Sequence, residues 1–287
     1  MNISKEIYKE NNEVLIKKIK EKGFLIAAHR GVWGGNIAQN TLNSTNLAYK
    51  FGTDIVEIDV GKSLDNKFFA FHTNKEKTII GVYKDFEKMK SDEINKYKIL
   101  NQLFEESNSN VEEFIEIIRN ANKDIIFQVD RAERYFPEIL DLLCDELSTD
   151  YLKRIMIKCS INDRNLDIFE KYQYKFMIMP ILRKVDEIKI LEKYSNINLI
   201  GIEVIAEDKE SETFGREFIE KLKEKFNVLI QINAIKLDKN TDLYAGIDDD
   251  ISLTNHPDKG WGKLLDWGCD IIQTDWAFAL DKYRENR

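Results

Sequence analysis

The sequence predicts an α/β protein: a (β/α)8 TIM barrel with an N-terminal helix and a helical insertion after its second strand. Three observations carry this expectation. Short apolar runs alternate with charged amphipathic stretches along the 287 residues, as in a parallel sheet covered by helices. Eight strands result when the run 68–71 is taken as an extension of 55–60, which it follows across an Asp65-Asn66 turn. Eight favours a closed barrel, whose typical length of about 250 residues also suits the chain. An open doubly wound sheet is the alternative left by pattern alone.

The elements follow in order. Residues 4–22 place Ile7, Val14, Leu15, Ile16 and Ile19 among charges, which reads as an amphipathic helix covering the barrel bottom or a partner. The apolar runs are 24–28, 55–60 with 68–71, 125–129, 155–159, 176–179, 199–204, 228–232 and 269–272. Helix-like stretches at 45–51, 132–147, 165–172, 185–194 and 217–226 lie between them. Residues 75–119 form a longer, mostly helical insertion. No linker or internal repeat divides the chain, so 1–287 reads as a single domain, with 1–22 the added helix.

Composition narrows the function. Asp and Glu number 51 against 43 Lys and Arg, a net charge of -8. Such a surface repels nucleic-acid phosphates, and no basic block offsets it. Cys144, Cys159 and Cys269 are odd in number and lack a Cys-x-x-Cys pair, so they read as small buried apolar residues. The first 22 residues hold no apolar core of signal-peptide length, and no run of about 18 apolar residues occurs. A cytoplasmic location without an integral membrane segment is expected.

Barrel chemistry gathers where strands end. The apolar runs lead into His29-Arg30-Gly31, Glu57-Ile58-Asp59, Phe71-His72, Gln128-Val129-Asp130, Lys158, Glu203, Gln231 with Asn233, and Thr274-Asp275. Glu57 and Asp59, one residue apart in a strand, point to the same face. Two inward carboxylates repel unless neutralised; a hard divalent metal does so, and so does an ion pair with a neighbouring Arg or Lys. Two of the three histidines, His29 and His72, flank this pair, and imidazoles can exchange protons near neutral pH. His256, beside Pro257, reads as a turn residue.

These residues resemble the glycerophosphodiester phosphodiesterases. The resemblance rests on His29-Arg30-Gly31, Asn40-Thr41, the stretch from Gly52 to Val60 containing Glu57 and Asp59, Phe71-His72, and Gly268 to Asp275. Within the family it looks closest to bacterial members with a Val-Glu-Val-Ile-like sixth strand, here Ile202-Glu203-Val204-Ile205, and an aspartate-rich loop, here Asp248-Asp249-Asp250, before Gly260-Trp261-Gly262. It spans about residues 24–280.

The resemblance implies a TIM barrel that hydrolyses a small glycerophosphodiester to glycerol phosphate and an alcohol with Mg²⁺ or Ca²⁺. His29 and His72 would be the acid-base pair, Glu57 and Asp59 metal ligands, and Arg30 a phosphate contact. Departures leave alternatives open. Where many members have Glu-x-Lys on the third strand, this chain has Gln128-Val129-Asp130; Asp130, or alternatively Gln128, would complete the metal site. Lys158 either replaces the lost lysine at phosphate or pairs with Asp130. Glu203 and Asn233 are candidate substrate contacts, Asp275 reads as a cap of the last helix, and Trp33, Trp261 and Trp276 pack loops or line an alcohol pocket. Gln39 and Thr73 replace the usual Glu and Asp, and the stretch after His72 lacks the usual arginine. A related lipid or inositol phosphodiesterase and a catalytically silent phosphodiester-binding barrel are the competing functions.

Overall fold

The computed structural model describes residues 4–287. Eight parallel strands lie side by side: β1 (Leu25–Ala28), β2 (Ile55–Lys62), β3 (Ile126–Asp130), β4 (Ile155–Ser160), β5 (Met177–Leu182), β6 (Gly201–Val204), β7 (Leu229–Asn233) and β8 (Ile271–Thr274). β1 pairs with both β2 and β8, so the sheet closes on itself. The open sheet is thereby excluded.

Alternation along each strand builds two cores. Ile26, Val56, Ile58, Phe127, Val129, Ile202 and Ile230 pack outward beneath the helices. Leu25, Ala27, Ile55, Ile126, Met156, Met177, Leu229 and Ile271 form an inner cluster with Met179. Each fully buried Leu or Ile contributes about 1.5–3 kcal/mol. On β6 the corresponding position is Gly201, where a Cβ would stand 2.4 Å from Met179 Cε. Glycine thus makes room for the methionine that fills the barrel.

The expected N-terminal helix is broken in two. A 3₁₀ turn, Glu6–Tyr8, precedes the helix Glu13–Lys22. Between them Asn12 is fully buried and exchanges side-chain hydrogen bonds of 2.9 and 2.8 Å with Asn198. That tertiary pairing anchors the break. Leu15 and Ile19 then join the inner cluster, so the helix covers the barrel bottom.

Phe68–Ala70 pairs antiparallel with the end of β2, turning the expected extension into a hairpin. The insertion is less helical than its composition suggested. It holds short helices at Glu76–Ile80 and Ser91–Ile94 and a two-stranded hairpin, Lys98–Leu100 with Glu106–Asn110. Its helix Phe114–Asn120 packs in the outer core. Phe69, Phe71, Ile79, Phe86, Met89 and Ile99 form a satellite core, in which Phe71 and Phe86 stack at 4.1 Å. This cluster anchors the residue before His72. The expected helix at 132–147 divides into a 3₁₀ turn, Ala132–Tyr135, and a helix, Glu138–Glu146, split at Pro137. Among the described residues, no helix is long and apolar enough to cross a membrane.

Candidate active site

At the C-terminal end of the barrel, a cavity of about 290 Å³ is lined by side chains from all eight strands or the loops following them. His29, Arg30, Glu57, Asp59, His72, Asp130, Lys158, Glu203 and Asn233 all reach it. Gln128 does not. It is fully buried, and its Nε2 donates to Gln231 Oε1 at 2.7 Å. Gln231 Nε2 in turn lies within 3.2 Å of Gln128 Oε1 and Gln273 Oε1. Gln128 and Gln231 lie beneath the cavity, one inward position below Asp130 on β3, while Gln273 reaches its lining.

The loop after β1 is shaped around the two carboxylates of β2. Arg30 (φ 58°) and Gly31 (φ 77°) both adopt left-handed backbone; a Cβ at Gly31 would stand 2.8 Å from the Ser44 backbone. The turn aims the Arg30 N–H at Glu57 Oε2, 3.0 Å away. Its guanidinium reaches Asp59, with Nε 2.8 Å from Oδ2, and donates through Nη1 to Gln39 Oε1 at 2.7 Å. That Nε is buried yet lacks good hydrogen-bond geometry to any partner. Asn40 brackets Asp59, donating to Oδ2 at 3.0 Å and accepting its backbone N–H at 3.1 Å. Capping of the next helix falls to Thr41, which accepts from the Ser44 N–H.

Glu57 is placed differently from its neighbour. It is 1% exposed and has no ion pair among the described residues. Burial first, then Asp59 and Asp130, push its carboxyl well above the usual range, outweighing Lys158 and Arg30. Asp130 pairs with Lys158 at 2.9 Å and accepts the Arg131 N–H at 2.6 Å. Burial alone would raise its pKa, but Lys158 outweighs this and lowers it. Lys158 is also 2.8 Å from Glu203. Burial pulls against its charge, while Asp130, Glu203 and Glu57 together raise its pKa above the ordinary value. Of the two readings of Lys158, the geometry is that of the ion pair. Asn233 donates to Glu203 Oε1 at 2.9 Å.

The two histidines are held by different partners. His72 Nδ1 is 2.9 Å from the Thr73 carbonyl. A carbonyl only accepts, so Nδ1 carries the hydrogen and Nε2 is free to accept. Burial lowers the pKa of His72, with Arg30 and Arg131 adding to the effect against Asp59. His29 Nδ1 is instead 3.0 Å from Asp275 Oδ1. Asp275 therefore engages the imidazole and does not cap the last helix, whose first turn has no side-chain cap.

Behind Asp275 stands Asp249, known from the sequence only as part of the aspartate-rich loop. It accepts from Trp261 Nε1 at 2.7 Å, Thr274 Oγ1 at 2.8 Å and the Asp275 N–H at 3.0 Å. Burial nevertheless pushes its carboxyl up to about 7. Trp261 is thereby committed to packing, and no aromatic side chain except His29 and His72 lines the cavity. His256 accepts the Asp258 N–H and starts a short turn, as its proline neighbour suggested.

Comparison with known proteins gives the family and the fold. Residues 29–197 match the model of the glycerophosphoryl diester phosphodiesterase family. The chain belongs to that family, a family of hydrolases. Residues 176–284 also match a domain of unknown function, and no curated protein sequence matches. Among solved structures, a glycerophosphoryl diester phosphodiesterase of Parabacteroides distasonis superposes with a TM-score of 0.73 at 18% identity, over 92% of this chain and 86% of that one. A phosphodiesterase of Oleispira antarctica, solved with the product sn-glycerol-3-phosphate, gives 0.66 at 16% identity, over 92% and 97%. A glycerophosphodiester phosphodiesterase of Thermotoga maritima gives 0.61 at 17%, over 91% and 98%. These likenesses carry the glycerophosphodiester phosphodiesterase fold.

Within this member of the family, the donor set can be tested against a divalent cation. Glu57 and Asp59 offer hard carboxylate oxygens on one cavity wall, and Glu57 lacks a side-chain cation. That chemistry fits a hard divalent cation. Asp130 is engaged by Lys158, and among the described residues no group of three or more His, Cys, Asp or Glu is already arranged around a common point.

Proposed function

We propose that the protein hydrolyses a small glycerophosphodiester to glycerol phosphate and an alcohol, with His72 and His29 exchanging protons. The observation carrying this reading is that two imidazoles with different partners line one cavity with an acidic pair. Glu57 and Asp59 would hold a divalent cation, Mg²⁺ or Ca²⁺. When bound, such an ion adds positive charge at the non-bridging phosphate oxygens.

The chain's own residues supply the rest. His72, neutral near pH 7 and with Nε2 free, accepts the proton of the glycerol 2-hydroxyl. That oxygen attacks phosphorus, and the bond to the departing alcohol breaks. His29, oriented by Asp275, gives its Nε2 proton to the departing oxygen. In the second half, His29 takes a proton from water as the water oxygen attacks phosphorus. His72 returns its proton to the glycerol oxygen, and the cyclic phosphate opens. Arg30 stands beside both carboxylates and contributes positive charge to the phosphate. Glu203 and Asn233 form the wall facing the glycerol hydroxyls, and Lys158 holds Glu203 and Asp130 in register.

The test is release of glycerol phosphate from glycerophosphocholine, glycerophosphoethanolamine and glycerophosphoinositol, with Mg²⁺, Ca²⁺ or chelator. Metal-dependent release that chelator stops supports the reading. No release from folded protein with either metal overturns it.

A further inference from the structure

We infer that the alcohol half of the substrate carries a phosphate of its own, received by Arg131 and Arg183; this rests on the phosphodiesterase reading above. Unspent positive charge at the cavity mouth points to it. Five carboxylates line the cavity, and each is engaged. Asp59 has Arg30 and Asn40; Asp130 and Glu203 share Lys158. Glu133 accepts from the Ser160 N–H, Ser160 Oγ and Asn165 Nδ2, and Glu57 from the Arg30 N–H.

Five cations line the same cavity. Arg30 and Lys158 are committed as described, and Arg134 pairs with Glu87 at 2.8 Å. Arg131 and Arg183 remain. Among the described residues, neither guanidinium has an ion pair or a hydrogen bond, and Arg131 Nε is buried without a partner. Arg131 directly follows β3, with φ 61° turning the chain at that point. Arg183 directly follows β5, and Ser160 at the end of β4 lies between these two strands in the sheet. Two unspent guanidiniums on one side of the mouth match a dianionic group, because planar N–H forks bind phosphate oxygens in pairs.

The same wall argues against a cationic alcohol. A quaternary ammonium is recognised by aromatic faces, and no Phe, Tyr or Trp lines the cavity. A primary ammonium needs a free carboxylate, and Glu57, which has no side-chain cation, is taken by the divalent ion of the proposed reaction, while the others are engaged. The other side of the mouth is apolar, built from Ile205, Ile235 and Leu243.

The experiment compares glycerophosphoinositol 4-phosphate with glycerophosphoinositol and glycerophosphocholine. Both kcat/KM for the intact protein with Mg²⁺ and calorimetric affinity for the H72A variant are measured. The phosphorylated compound is expected to be preferred by at least about tenfold in both, and R183A to reduce that preference to about threefold or less. Turnover of all three without such a preference overturns the headgroup inference and leaves the phosphodiesterase reading standing. If none is turned over, that reading fails and binding decides. Tighter binding of the phosphorylated compound that R183A weakens upholds an anion site at these arginines. Equal affinities, or no binding, overturn it.

Discussion

Two halves of the barrel mouth use the same carboxylate chemistry to opposite ends. On the β3–β4–β6 side, Asp130 and Glu203 share Lys158 at 2.9 and 2.8 Å, so each carboxylate touches a cation. On the β1–β2 side, Glu57 is as buried as Lys158 and Glu203 but has only a backbone N–H, and its carboxyl is pushed upward. A satisfied buried ion cluster is rigid and has little left to give a ligand. Glu57, the carboxylate of its pair with no side-chain cation, is where added positive charge gains most. Under the proposed reaction, the contrast gives one half a scaffolding part and the other the reactivity.

The sharpest way to break this contrast is to remove an imidazole. H72A and H29A should each lower glycerol phosphate release by roughly 10²–10⁴, the usual worth of a positioned acid or base, with the urea midpoint little changed. Near wild-type rates in both variants would end the proposed proton exchange.

Stability separates the halves next. K158M strands Asp130 and Glu203 without their cation and should cost about 3–5 kcal/mol in urea unfolding. E57Q replaces a carboxyl already driven toward its neutral form, and should leave stability close to wild type while abolishing metal-dependent turnover. Equal losses in the two variants would erase the distinction.

A pH titration of metal-free protein refines it further. The folded-state pKa of Glu57 is raised above its unfolded value, so the native state binds more protons in that interval. Its contribution to stability is present below the unfolded carboxylate range and is lost as pH rises through the folded value. Asp249, pushed up to about 7, acts in the same direction between about 4 and 7. Melting temperature should accordingly fall with rising pH in chelator. Added Mg²⁺ or Ca²⁺ should recover part of that loss in the wild type but not in E57Q. Failure of both metals to raise it would count against the cation at this pair.

The smallest effect concerns the acidic limb of the rate profile. His72 is lowered first by burial and further by Arg30 and Arg131. R131Q removes one of those charges, so the acidic limb of kcat/KM should move to higher pH by a fraction of a unit. An unmoved or downward-shifted limb would detach Arg131 from His72, or His72 from the role of base.

Much of this was legible in the chain itself. Alternation, the count of apolar runs and the polar residues ending them identified a barrel and the side chains that line its mouth. These depend on strand period and local hydrophobicity, which need no knowledge of neighbours. His29, Glu57, Asp59 and His72 were found this way because strand ends of a barrel converge. The hairpin in the insertion was missed because its strand Glu106–Asn110 is polar throughout, so hydrophobicity gives no strand signal there. The break at Asn12 was missed because its partner, Asn198, is 186 residues away.

The site's division of labour lay beyond sequence reasoning for the same reason. Whether Gln128 faces the cavity depends on Gln231, and whether Lys158 is free depends on Glu203 across the barrel. Asp275 looked like a helix cap because nothing in its own neighbourhood points to His29, 246 residues earlier. The sequence by itself determined the strand period, a number of strands that favours closure, and the residue types at the mouth. Only the tertiary structure decided which charges neutralise each other and which remain to act, because Coulomb and hydrogen-bond energies depend on distances that barrel closure sets.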